Sequence, residues 1–406
     1  MRLFTLATLS LLPLGCMGQK TPKDNSNHPG GFVYASGTHF ELDGHPFYIA
    51  GTNHHYLHFA YPSEVQNFLD DAAALKVNVV RLLAFIDIGS LDGTTRPTTW
   101  HKYDNSTYQL NTNGIYFQYW DTETNSIQYN DGPNGLQHLD YALSECGKRG
   151  LKVVVSLTNN WLYVGGVPQY LAWFGMNDST DHKLFFTDPR CKTAYKNWIN
   201  HMVNRVNHYT GVCYKDDPTI MSWELMNEPE APGAPTSTIT NWAAEMSAYV
   251  KSLDPNHMVG LGEQGYFSRG PGDWKFSGVT GTSFDDLIQI DTLDWGSFHL
   301  YPGYWSETSD WGQNTWIPEH INVGAANNKP VILGEFGWKG DKDTVYDHWC
   351  KAIESGNSNW FMWRLIAKSQ DGTYPADSEG FDVHINDSVF NVLKASAIRI
   401  TVKNNP

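Results

Sequence analysis

Two stretches decide how this chain folds: Ile220-Met221-Ser222-Trp223-Glu224-Leu225-Met226-Asn227-Glu228-Pro229 and Pro330-Val331-Ile332-Leu333-Gly334-Glu335-Phe336-Gly337. Each is a short apolar run that ends abruptly in a carboxylate. A parallel strand buried on both faces reads in this way, as a brief apolar run bounded by turn signals. A glutamate at the carboxyl end of such a strand stands where an α/β barrel gathers its chemistry. Two of them on two strands make a candidate acid and nucleophile pair.

Working outward from these runs, the same unit recurs. Apolar strands are expected at 47–50, 78–83, 152–157, 219–225, 258–261, 295–300, 330–334 and 360–363. Helical patterns are expected at 63–75, 135–148, 191–208, 238–252, 313–327 and 343–354. Eight short strands alternating with helices predict a (β/α)8 TIM barrel. An open doubly wound sheet is the competing architecture, and no Gly-rich phosphate turn follows any of the strands to support it. Ahead of the barrel, Phe32-Val33-Tyr34, the turn Ser36-Gly37-Thr38 and His39-Phe40-Glu41-Leu42 read as a small N-terminal β-hairpin closed by Asp43-Gly44. A long Gly/Asn/Tyr-rich segment at 87–133 is positioned to close one end of a cleft.

The bulk properties narrow the partners. The 406 residues are 41% hydrophobic, enough for a substantial core, and the 14% aromatic content with 16 Trp suits a protein that stacks flat rings. The formal net charge is −15 and no basic cluster interrupts it, which argues against nucleic acid and anionic membranes as partners. Arg2, the apolar run Leu3 to Leu14 and the small-residue pattern around Gly18 read as a signal peptide over 1–18. A lipid anchor on Cys16 is the rival reading, and Pro13 fits it badly. Residues 19–30 read as a flexible leader, and 31–406 as the catalytic domain. The mature protein is therefore expected to be secreted, extracellular and monomeric. Sequons at Asn105, Asn177 and Asn386 fit that route. Of the cysteines left after cleavage, Cys146 and Cys213 both end helical segments on the barrel floor and are the pair expected to bridge. Cys191 begins a helix at the opposite end from Cys213.

The residues that follow the strands converge on one face of a barrel. They are Asn53, Arg81, Asn159-Asn160-Trp161, Asn227-Glu228, Glu263-Gln264, His299, Tyr301, Glu335 and Trp363. The set holds two glutamates but no nucleophile elbow with a Ser-His-Asp set. Two carboxyls divide acid and nucleophile roles when their surroundings separate their pKa values. In glycosidases the gap between them sets the stereochemistry: about 5–5.5 Å for retention and 6.5–9.5 Å for inversion.

At these motifs the chain resembles glycoside hydrolase family 5, and within it the endo-β-1,4-mannanase branch. The resemblance rests on Trp-Glu-Leu-Met-Asn-Glu-Pro at 223–229, His-Leu-Tyr at 299–301 and Leu-Gly-Glu-Phe-Gly at 333–337. Ala-Gly-Thr-Asn at 50–53, Asn-Asn-Trp at 159–161 and Tyr-Val-Lys-Ser-Leu-Asp-Pro-Asn-His at 249–257 support it. It covers roughly 31 to 385 and implies a retaining hydrolase of β-1,4-mannan, galactomannan and glucomannan, with no metal and no cofactor. It implies Glu228 as acid/base and Glu335 as nucleophile. By the same likeness Asn227 holds the sugar 2-hydroxyl, Tyr301 hydrogen-bonds Glu335, and Arg81 favours the ionised form of Glu335. His299 orients Glu228 and the sugar, Trp363 floors the subsite of the cleaved sugar, and Trp161 packs nearby. Three departures bear on the cleft: Glu230 where fungal members often carry Arg, His55-Tyr56 where Tyr-Trp is usual, and Gln264 where Glu is common. Alternatives are an exo-acting β-mannosidase, a family-5 β-glucanase and a sugar-binding pseudoenzyme.

Simpler readings stand beside these. Glu224, one pleat before the motif glutamate, reads as a structural residue pointing elsewhere. His54, His55 and His58 invite a zinc site, but they follow a strand without a carboxylate partner, so packing and sugar contacts are expected of them. Trp100, Trp120, Trp173, Trp305, Trp311, Trp316 and Trp338 are each as suited to core packing as to stacking a sugar.

Overall fold

The computed structural model describes residues 29–93, 114–377 and 379–405. The expected signal peptide, all but the last two residues of the leader, the sequon at Asn105 and Trp100 lie outside these residues. Eight parallel strands form one sheet, and their neighbours follow chain order around it. Met258–Gly260 pairs with Ile220–Glu224, then come Lys152–Ser156, Val79–Leu83, Ala50–His54, Asn359–Met362, Val331–Phe336 and Gly296–Leu300. The seam between the fifth and sixth strands is bridged where the Asp294 N–H donates to Val259 O at 2.8 Å and the His299 N–H to Gln264 O at 3.1 Å. The result is a nearly closed (β/α)8 barrel.

Strand parity has two irregularities that matter for the site. Met221 and Glu224 both face the barrel interior although three positions separate them, and so do Ile332 and Glu335. Strict alternation forbids this. A register shift between Ile220 and Ser222 corrects the parity on one strand, and the pairing of Phe298 with Leu333 but His299 with Glu335 corrects it on the other. The residue skipped in the second case is Gly334. A Cβ there would lie 2.8 Å from Ser297 Oγ and 3.1 Å from His299 Nε2, so glycine lets the bulge form beside the site.

The helices outside the barrel follow from their sequences. Pro62–Leu75 buries Val65, Phe68, Leu69, Ala72 and Leu75 on one stripe. Pro62 occupies its first turn, and Glu64 accepts the Tyr61 N–H at 2.9 Å. Pro189–Val203 starts with Asp188 Oδ1 accepting the Arg190 N–H at 2.8 Å, and Lys342–Ser355 with Asp341 Oδ1 accepting the Thr344 N–H at 3.1 Å. A C-terminal helix, Ser388–Asn404, packs against the helices Lys342–Ser355 and Pro62–Leu75.

The N-terminal hairpin gains a third strand. Val33–Ser36, His39–Leu42 and His45–Phe47 form an antiparallel sheet, so Phe47 belongs here and the first barrel strand starts at Ala50. Val33, Phe40 and Phe47 pack into a cluster with Val79, Val154, Met221, Met258, Ile332 and Phe361 from inside the barrel. This sheet stoppers the amino-terminal end, and burying each large apolar side chain contributes about 1.5–3 kcal/mol. In the segment 87–133, Asp87–Ile88 pairs with Gln118–Asp121, which pairs with Ser126–Tyr129 in a side sheet.

The expected Cys146–Cys213 bridge does not form. Cys146, Cys191 and Cys350 are free buried thiols. Cys146 lies in the apolar core, where burial pushes its thiol up to about 12 and keeps it protonated.

Candidate active site

Arg81, on the second barrel strand, is the hub of the open end. All five of its N–H donors are used. Nε and Nη2 reach Glu224 Oε2 and Oε1 at 2.8 and 2.6 Å, and Nη2 also reaches Asn227 Oδ1 at 2.8 Å. Nη1 donates to Asn53 Oδ1 at 2.9 Å and to Glu335 Oε1 at 2.7 Å. Asn53 is itself anchored by donating to the carbonyls of Gly334 and Met362 at 2.9 and 3.2 Å. Glu224 therefore faces into the barrel, against the expectation that it points elsewhere. The parity shift in its strand turns it inward, and nothing in the residue pattern announces that shift.

Glu228 sits on the loop after the fourth strand with φ 50°, a left-handed conformation uncommon for a residue with a Cβ. Its N–H donates to Gly262 O at 2.8 Å, which holds the turn. Its carboxylate has two neighbours: Oε1 lies 2.6 Å from His299 Nδ1, and Oε2 accepts from Trp161 Nε1 at 2.6 Å. Asn227, one residue earlier, donates from Nδ2 to Asn159 Oδ1 at 3.0 Å. Opposite, Glu335 Oε2 accepts from Tyr301 OH at 2.7 Å and lies 3.6 Å from His299 Nδ1. A Glu228 oxygen, a His299 nitrogen and a Glu335 oxygen lie within 4.8 Å of one another.

Burial pushes both carboxyls up. At Glu228 it is outweighed by the bond and charge of His299, by Trp161 and by Arg81, which hold the carboxyl below its ordinary range. At Glu335 burial and the neighbouring Glu228 charge outweigh His299, Arg81 and Tyr301, and the carboxyl lies above it. His299 is raised: burial favours the neutral ring, but the charges of Glu335 and Glu228 prevail. These directions belong to a resting site whose spare proton is on His299. Arg81 and Tyr301 both donate to Glu335, contacts that favour its ionised form. Arg81 can only donate, and its charge is permanent, so Glu335 fits its partners as a carboxylate. His299 Nδ1 can accept as well as donate, so the proton can pass to Glu228.

The open end is a cavity of about 680 Å³. Glu228, Glu335, Asn227, Tyr301, Trp161 and Trp363 of the expected set line it. Arg81 and His299 are buried behind that surface and contact the carboxyls of Glu335 and Glu228. Trp363, joined to Arg364 by a cis peptide, donates from Nε1 to Glu379 Oε2 at 2.7 Å. Of the three adjacent histidines only His55 reaches the cavity; His54 packs edge-on against Tyr56 and Phe68, and His58 against Phe59. Trp305 lines the cavity, whereas Trp173 and Trp316 are fully buried in the core. Tyr266 and Trp274 also line it and were not singled out from sequence; they follow the short fifth strand in a loop without periodic pattern. Among the described residues, none of the segment 87–133 lines the cavity.

Residues 30–371 match the family model described as GH family 5 beta-mannosidase-like. The chain is 31% identical over 369 residues to mannan endo-1,4-β-mannosidase A of Podospora anserina, covering 90% of each chain. It is 31% identical over 387 residues to mannan endo-1,4-β-mannosidase A of Aspergillus aculeatus, covering 94% of each. Among solved structures, the endo-1,4-β-mannanase of Rhizomucor miehei superposes with a TM-score of 0.80 at 31% identity, over 91% of this chain and 99% of that one.

Proposed function

This chain belongs to glycoside hydrolase family 5, and from that premise we propose that it is a secreted mannan endo-1,4-β-mannosidase that works by double displacement. Glu335 is the nucleophile and Glu228 the acid/base. The observation that carries the reading is the closeness of the two carboxyls, with oxygens inside a 4.8 Å cluster. Carboxyl oxygens this close fit the retaining spacing of about 5–5.5 Å better than the roughly 6.5–9.5 Å of an inverting pair.

In the first step Glu228, protonated through His299 Nδ1, gives its proton to the leaving glycosidic oxygen as the C1–O bond breaks. Glu335 Oε attacks C1 from the opposite side to form the glycosyl-enzyme. In the second step Glu228, now a carboxylate, takes a proton from water as its oxygen displaces Glu335 from C1. Arg81 and Tyr301 stabilise the Glu335 charge as it leaves. The free N–H of Asn227 Nδ2 is available to the 2-hydroxyl beside C1, and Trp363 supplies an apolar floor for the ring. The substrate class follows from the named activities of the relatives, and secretion from the signal-peptide pattern with its apolar run at residues 3–14. Among the described residues, no helix is long and apolar enough to cross a membrane.

The test is to incubate the purified protein with galactomannan, mannohexaose and a soluble cellulose derivative and follow product sizes. A fast viscosity drop with mannobiose and mannotriose is expected. Release of mannose alone would replace the endo reading by an exo one, and hydrolysis of none of the three would overturn the enzyme.

A further inference from the structure

The cavity has a corner where a carboxyl and an unpaired amide oxygen face aromatic rings. Glu230, two residues beyond Glu228, lines it, and its N–H donates to Asn160 Oδ1 at 3.0 Å. That Asn160 oxygen is also bonded by His182 Nε2 at 2.7 Å, and His182 Nδ1 by Asp178 at 2.7 Å, so the Glu230 backbone is fixed from behind. The side chain of Gln264 hydrogen-bonds the Glu230 carboxyl, while Gln264 Oε1, on a residue only 6% exposed, has no partner. Around them stand Tyr266, Trp274 and Trp305, with ring centroids 4.9 and 5.7 Å from Tyr266 to the other two.

No lysine or arginine pairs with Glu230 among the described residues. The nearby cations are committed: Lys275 to Asp273 and Glu307 at 2.8 and 2.9 Å, and Arg364 to Glu379 and Asp382 at 3.0 and 2.8 Å. A carboxyl and an orphaned amide oxygen ask for a ligand rich in donors. Aromatic faces add attraction for a cation specifically. An ammonium carries three donors and the charge, whereas a hydroxyl has one donor and no charge.

We propose that Glu230 and Gln264, walled by Tyr266, Trp274 and Trp305, form a leaving-group-side subsite for a sugar bearing a protonated amine, a 2-amino-2-deoxyhexose unit, in preference to a neutral hexose. The placement rests on the reading of Glu228 as the acid beside the scissile bond. Burial and the Glu228 charge raise the Glu230 carboxyl to about 7, as befits a carboxyl without its counter-ion. Docking an ammonium there at pH 6 ionises the carboxyl and releases a proton.

The experiment is calorimetric titration at pH 6 with the β-1,4-linked glucosamine disaccharide, its N-acetylated form and mannobiose, in two buffers of different ionisation enthalpy. The free amine is expected to bind at least tenfold tighter than the other two, with close to one proton released. Glu230→Gln is expected to abolish both the preference and the proton release, and Gln264→Leu to weaken the preference severalfold. Equal affinity for the three sugars, or an undiminished preference in Glu230→Gln, would overturn the subsite. Galactomannan hydrolysis by the same preparation reads the hydrolase assignment separately. A preference retained in a protein without turnover supports the amine site while overturning the role of Glu228.

Discussion

At the residue scale the two carboxyls are distinguished by their company. Glu335 is held by Arg81 and Tyr301, and Glu228 by His299 and Trp161. Replacing either with alanine is expected to lower kcat on mannan by about 10³-fold or more. The two variants then part on an aryl β-mannoside with a strongly acidic phenol as leaving group. That substrate needs no proton to depart, so Glu228→Ala should still release a burst of phenol, while Glu335→Ala should release none. A burst from Glu335→Ala and not from Glu228→Ala would reverse the assignment. Arg81 offers a second test, because lysine keeps the charge and loses the fork. With all five donors engaged, Arg81→Lys leaves Glu224 or Glu335 short of partners in a buried place. A loss of about 3–5 kcal/mol in stability is expected, read as a lower denaturant midpoint, together with a fall in kcat larger than any change in KM. An unchanged midpoint would mean that the network is dispensable.

At the scale of elements, the eight strands were readable because each is a compact apolar run, and most lie within two residues of their expected place. The first was misplaced by several residues. Phe47 and Ile49 are as apolar as a barrel strand requires, but they serve the stopper beneath it, and apolarity does not say which layer a residue fills. The inward turn of Glu224 was hidden for a related reason. Alternation is legible, but a one-residue bulge that reverses it depends on the neighbouring strand. The C-terminal helix and the side sheet at 118–129 were missed because their stripes are weak and their partners distant in sequence. Most of the candidate site was legible, since Asn227, Glu228, His299, Tyr301 and Glu335 each stand at or just past a strand end and Arg81 is a charge inside an apolar strand. The loop residues Tyr266 and Trp274 obey no such rule. The stopper sheet gives this scale its own prediction. Phe40→Ala leaves a cavity at the closed end and is expected to cost about 3–5 kcal/mol, with KM for mannan at a permissive temperature unchanged. A shifted KM would show that the floor communicates with the mouth.

For the molecule as a whole, buried ionisable groups set the pH range of stability. Burial raises Glu263 to about 8 and Asp87 to about 7. A carboxyl whose folded pKa is raised contributes stability that is complete below its unfolded value, near 4.5 for Glu, and lost as pH climbs through the folded one. Burial lowers His58 to about 3 and His320 to about 4. A histidine held neutral loses its contribution as pH falls from 6.5 through the folded value. The two sets oppose one another between about pH 4.5 and 6.5 and act alone outside it. Tm is therefore expected to fall from pH 6.5 to 8 and again from 4.5 to 3, as scanning calorimetry would register. Glu263→Gln should flatten the alkaline limb. A Tm rising steadily to pH 8 would contradict this account.

The stopper also governs traffic. Among the described residues, Val33, Phe40 and Phe47 fill the lower end of the barrel, so the opening of the site is the cavity at its upper end. Under the proposed double displacement, the departing half of the substrate and the water that completes the cycle share that opening. If the leaving half rests on the aromatic wall of Tyr266, Trp274 and Trp305, it would bar that water and keep a sugar alcohol within reach of the reactive carbon. On that reading the grip of the exit side would act as a clock, its duration setting whether the bond is hydrolysed or remade.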